Sequence, residues 1–99
     1  IQARDRQIAT IEGIIHTTES NTEAYQRNLE KLKTRARDHQ AAGEPVPDKL
    51  DGDIQRMQQQ VRDNQAFVRE KRREQHRIRE KYNRDIERYI SLKEGTKGR

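Results

Sequence analysis

The sequence predicts an all-α chain: a two-helix antiparallel coiled-coil hairpin that dimerises into a four-helix bundle. Three observations carry this. Apolar residues recur at coiled-coil spacing through both halves of the chain, a glycine–proline break sits almost at its centre, and the composition is too polar for a globular core. Ile, Leu, Val and Phe make up 17 of 99 residues while 39% are charged. So little apolar surface cannot fill a compact interior. It can fill a two-helix seam, which asks for only two apolar positions in seven.

The first helix is expected over residues 1–42. With Ile1 at heptad position a, Ile8, Ile15, Thr22, Leu29 and Ala36 follow, and position d holds Arg4, Ile11, Thr18, Tyr25, Leu32 and His39. A pattern of this length specifies a rod of about 60 Å at 1.5 Å per residue. Lys33, Arg35 and Arg37 lie near its end, where cations suit the helix dipole. Gly13 falls at an outward f position and costs about 1 kcal/mol against Ala.

The turn is expected over residues 43–47. Gly43 can end the helix in the left-handed conformation. Pro45 and Pro47 each lack an amide donor and each push the preceding residue out of helical geometry. Asp48 is then placed to cap the next helix, with Asp51 three residues on in a capping-box-like spacing.

The second helix is expected over residues 48–94. Position a holds Ile54, Val61, Val68, Gln75, Tyr82 and Tyr89; position d holds Leu50, Met57, Asn64, Lys71, Ile78, Asp85 and Leu92. Ile86 is expected to take the inward role beside Asp85. Residues 95–99 have no helical support and read as a disordered tail.

A fold-back centred between Val46 and Pro47 faces Ile15 with Ile78, Ile11 with Tyr82, Leu32 with Val61 and Ile1 with Leu92. It also brings Glu12 toward Arg79 and Glu19 toward Arg72, so opposite charges flank the seam and select the register. Two layers are polar, Thr18 against Gln75 and Thr22 against Lys71, with Lys71 expected to reach Glu19 or Glu23. In architecture alone this hairpin resembles the tRNA-contacting arm of seryl-tRNA synthetase, and no residue motif extends the likeness to a family.

Function is read from the surfaces. Ile14 and Phe67 fall at g positions, Ile86 at e and Ile90 at b, beside a seam that two helices cannot extend to cover. They form the expected partner interface, for a second copy or another helical protein, in a non-enzymatic assembly or spacer module. The alternative is a basic arm docking on nucleic acid. The net charge is +5, all of it from the second half, and Arg69, Arg72, Arg73, Arg77 and Arg79 lie in the basic stretch 69–84. Interspersed glutamates and the lack of nearby stacking aromatics weigh against that alternative.

Chemistry is not expected. The absence of cysteine excludes disulfides and thiolate sites and fits either a reducing cytosol or an export compartment. No phosphate-cradling glycine loop, nucleophile elbow or H-E-x-x-H motif occurs. His16 and His76 lie at similar heights with Glu12 and Glu80 four residues away, but on outward positions that separate them, so no metal is expected. No cofactor, small-molecule substrate or membrane span is expected. A chain that begins at Ile1 and has Met57 as its one methionine reads as a fragment or a processed chain.

Overall fold

The computed structural model describes residues 2–97, and Ile1, Gly98 and Arg99 lie outside the described residues. Two helices, α1 (Gln2–Ala41) and α2 (Asp48–Lys97), pack against each other along their length. Among the described residues there is no strand. The result is a rod with extents of 85 × 18 × 16 Å.

The bend forms where its residues require it. Gly43 adopts a φ of 72°, the one positive φ among the described residues. This lets the Gly43 amide donate to the Gln40 carbonyl at 3.0 Å and the Glu44 amide to the His39 carbonyl at 2.9 Å. Those two bonds form a Schellman motif and satisfy carbonyls that the end of α1 would otherwise leave open. The His39 ring and the Glu44 carboxylate, 3.1 Å apart, tie the same two residues together through their side chains.

The start of α2 differs from expectation. Its ladder opens on the Pro47 carbonyl, which accepts from the Asp51 amide at 3.0 Å, so Asp48 is the first helical residue rather than the cap. Asp48 and Asp51 instead place negative charge in the first turn, where the dipole favours it. At its far end α2 continues to Lys97, past the expected stop at Glu94; the last two residues of the expected tail lie outside the described residues.

The seam follows the heptads. Every a and d residue of α1 from Arg4 to His39, and of α2 from Leu50 to Tyr82, is buried or half-buried. Ile15 is fully enclosed, with Ile11, Leu29 and Val61 close behind. Each such side chain contributes about 1.5–3 kcal/mol by leaving water. Two polar residues share the core, Thr22 and Gln75. The Thr22 hydroxyl donates to the Thr18 carbonyl at 2.7 Å, and among the described residues no buried side-chain nitrogen or oxygen lacks a partner.

The register is shorter than expected. An axis between Val46 and Pro47 sets Arg4 opposite Tyr89, yet Arg4 binds Asp85 at 2.7 Å and lies 4.7 Å over the Tyr82 ring. It likewise sets Gln75 opposite Thr18, whereas Gln75 reaches Glu12 and the Ile8 carbonyl. The tip explains the change. Gly43 closes α1 at Ala41 and Pro47 opens α2 at Asp48, so the axis falls between Glu44 and Pro45. Moving it back by two residues shifts each facing pair by about four, one helical turn.

Two consequences follow. Asp85 keeps its seam-side position because Arg4 answers it, and Ile86, expected to turn inward there, is instead exposed. The last turns of α2 also extend beyond α1. Tyr89, expected in the seam, is 64% exposed, and Leu92 is 66% exposed.

Candidate partner interface

An antiparallel coiled-coil pair has two edges, one lined by e positions and one by g positions. The e edge is the more charged of the two. Arg72 donates to Glu19 at 3.3 Å, as the sequence led us to expect. Lys71 does not join it, pairing instead with Glu74 at 3.1 Å and lying 5.5 Å over the Phe67 ring. Its own-helix carboxylate is nearer than Glu19 or Glu23 across the seam. Glu12 accepts from the Gln75 amide at 2.7 Å. That bond, then the charges of His16, Arg72 and Arg79, holds its carboxyl below the usual glutamate range, against a smaller opposing effect of burial.

The g edge is less polar along α1, where Gln7, Ile14, Asn21 and Asn28 occupy it. Ile14 and Phe67 both stand on it, 38% and 43% exposed. Toward the tip a shallow groove on the same edge is lined by Tyr25, Leu32 and Met57 with Gln60, and flanked by Asp53 and Arg56, which pair with each other.

The four expected interface residues therefore do not form one patch. All four are exposed. Ile14 and Phe67 share the g edge in the middle of the rod, while Ile86 lies beside the Arg4–Asp85 bridge and Ile90 one turn further, on the projecting end of α2. Phe67 and Ile86 are about 29 Å apart at 1.5 Å per residue. Tyr89, which sequence reasoning assigned to the seam, joins Ile90 at that end, with the Lys93 ammonium 6.0 Å from its ring. The register error hid it, since only the tip geometry reveals where α1 stops covering α2.

The candidate nucleic-acid residues are largely engaged with carboxylates. Glu70 binds Arg73 at 2.9 Å and Arg77 at 3.0 Å. Those two guanidiniums, Arg77 first, hold the Glu70 carboxyl below its ordinary range. Arg72 is on Glu19, and Arg69 lines an open groove with Glu19 and Glu23. Arg79 contributes to the field that keeps Glu12 ionised. The arginines thus point around the rod rather than along one stripe.

The histidines pair within their own helices, His16 with Glu12 at 3.2 Å and His76 with Glu80 at 3.0 Å. Among the described residues no group of three or more His, Cys, Asp or Glu side chains is placed to hold a metal ion. No helix there is long and apolar enough to cross a membrane.

These features define an antiparallel helical hairpin with one more charged edge, one less polar edge and a projecting helical end. Comparison with known proteins finds no family model, no curated protein and no solved structure that matches the chain.

Proposed function

We propose that this chain is a non-enzymatic assembly or spacer module whose hairpins associate side by side, two copies giving a four-helix bundle. The observation that carries this reading is the exposure of Phe67 and Ile14 together on the less polar edge of the rod, opposite the edge crossed by the Arg72–Glu19 pair. An aromatic ring held 43% exposed beside a seam loses solvent contact only when a further helix packs there. Ile86 and Ile90 supply a second contact region toward the far end of α2. A different helical protein is the other occupant such a surface accepts.

Sedimentation equilibrium of the chain and its Phe67→Ser variant tests the proposal. Dimers that become monomers on substitution, with helicity unchanged, support it. A monomer at high micromolar concentration in the unsubstituted chain overturns it.

The runner-up is a basic arm for nucleic acid. What supports it is the net charge of +5. It is disfavoured because Arg72, Arg73 and Arg77 are already bound to glutamates. Under that reading, affinity falls steeply with added salt and ignores Phe67→Ser.

A further inference from the structure

The outward flank of α1 next to the g edge carries no charge for more than half of the helix. At c positions stand Ala3, Thr10, Thr17 and Ala24, and at g positions Gln7, Ile14, Asn21 and Asn28. All eight are exposed. The strip is about 37 Å long at 1.5 Å per residue. In a chain with 39% charged residues it stands apart. The matching positions of α2 are charged, with Asp63, Glu70 and Arg77 recurring through them. An uncharged flank at c and g, offset from the a and d seam, is a face on which a helix can pack against a second neighbour.

We propose that this strip is where two copies of the chain meet, α1 against α1, antiparallel about a two-fold axis between Ile15 and His16. The proposal rests on the self-association reading above and names its contact. Charge decides the occupant. A charged flank placed on the strip would lose water and gain no counter-ion, so the partner helix that suits it is an uncharged one of similar length. The strip itself is one. About that axis each c residue of one copy meets a g residue of the other. Ile14 meets Thr17, Thr10 meets Asn21, Gln7 meets Ala24 and Ala3 meets Asn28. Small residues alternate with larger ones, and the amides can bond hydroxyls and carbonyls across the contact. The Glu19–Arg72 bridge fixes the local register of α2, which puts Phe67 alongside the strip near Ala24. There its ring covers the region of Gln7 and Thr10 of the second copy.

Because the chain has no cysteine, introduced thiols report the contact directly. The Thr10→Cys, Asn21→Cys double variant should oxidise to a covalent dimer, whereas His16→Cys, on the opposite flank, should not. Asn21→Glu should weaken self-association by tenfold or more, since it puts a carboxylate into a neutral contact, and leave helicity unchanged. Dimers that sediment normally, respond to Phe67→Ser, and show neither the cross-link nor the Asn21→Glu effect would overturn this pairing and leave self-association standing. A chain that is monomeric throughout overturns both.

Discussion

The Gln75 amide, almost wholly buried in the seam, donates to the Glu12 carboxylate at 2.7 Å and to the Ile8 carbonyl at 3.3 Å. This polar contact joins a buried donor on α2 to two acceptors on α1, so a polar side chain enclosed in the seam keeps its hydrogen-bond partners. Gln75→Ala should cost about 1–3 kcal/mol, from the lost bond and the space left behind. Glu12→Ala should also destabilise, and Glu12→Ala with Gln75→Leu should recover stability, because both polar partners are then gone. Urea unfolding followed by circular dichroism reads all three.

The same contact sets a pH dependence. Glu12 and Glu70 both have carboxyls held below their ordinary range, Glu12 first by Gln75 and Glu70 first by Arg77. A carboxyl whose folded pKa lies below its unfolded one adds stability above the unfolded value, about 4.3 for glutamate, and loses it as pH falls through the folded value. Thermal midpoints should therefore hold steady on acidification until about that pH and drop beneath it. Glu12→Gln should shrink the acid-side drop; an unchanged acid limb would mean that Glu12 is not held ionised by this contact.

At the open end, Arg4 binds Asp85 and stacks over Tyr82. Both charges are partly solvated, so the bridge is worth no more than about 1 kcal/mol, with a similar amount from the ring. A double-mutant cycle on Arg4→Ala and Asp85→Ala should return a favourable coupling that shrinks with salt. Zero coupling at low salt, with coupling between positions 4 and 89 instead, would restore the longer register.

Two glycines should respond in opposite directions. Gly43 has a φ of 72°, so Gly43→Ala forces an L residue into the left-handed region and should cost about 1–2 kcal/mol. A Cβ on Gly13 meets nothing within 4 Å, so Gly13→Ala should stabilise by about 0.5–1 kcal/mol through helix propensity. Thermal melts of the two variants, shifted down and up respectively, check both.

Ile15 is the most deeply enclosed side chain of the rod. Ile15→Ala should cost about 2–5 kcal/mol. Phe67→Ser, at an exposed position, should change hairpin stability by no more than about 0.5 kcal/mol when measured at dilutions that favour the monomer. Equal losses from both variants would show that Phe67 belongs to the intramolecular core.

Much of this was legible from residues alone. The heptads named each inward side chain of α1 from Arg4 to His39, and those of α2 as far as Tyr82. Gly43 announced its left-handed turn because few other residues tolerate that geometry. The Glu19–Arg72 contact was legible because the e edges carry opposite signs. Asp48 was misplaced by one step because its own capping preference was read without the Pro47 carbonyl, which opens the ladder first. Ile86 and Tyr89 were drawn into the seam by a register that ran one turn too long.

Local chemistry along the chain thus settles that there are two helices, which stripe of each turns inward, and where the backbone reverses. It cannot settle how far one helix slides along the other, because a and d recur every three or four residues, so a slide of one turn again sets seam position against seam position. Tertiary structure makes that choice. The tip places Ala41 and Asp48 as the last and first helical residues, and the Gln75–Glu12 and Arg4–Asp85 contacts hold the alignment that results. From that alignment comes the projecting end of α2, a surface no periodicity could have foretold.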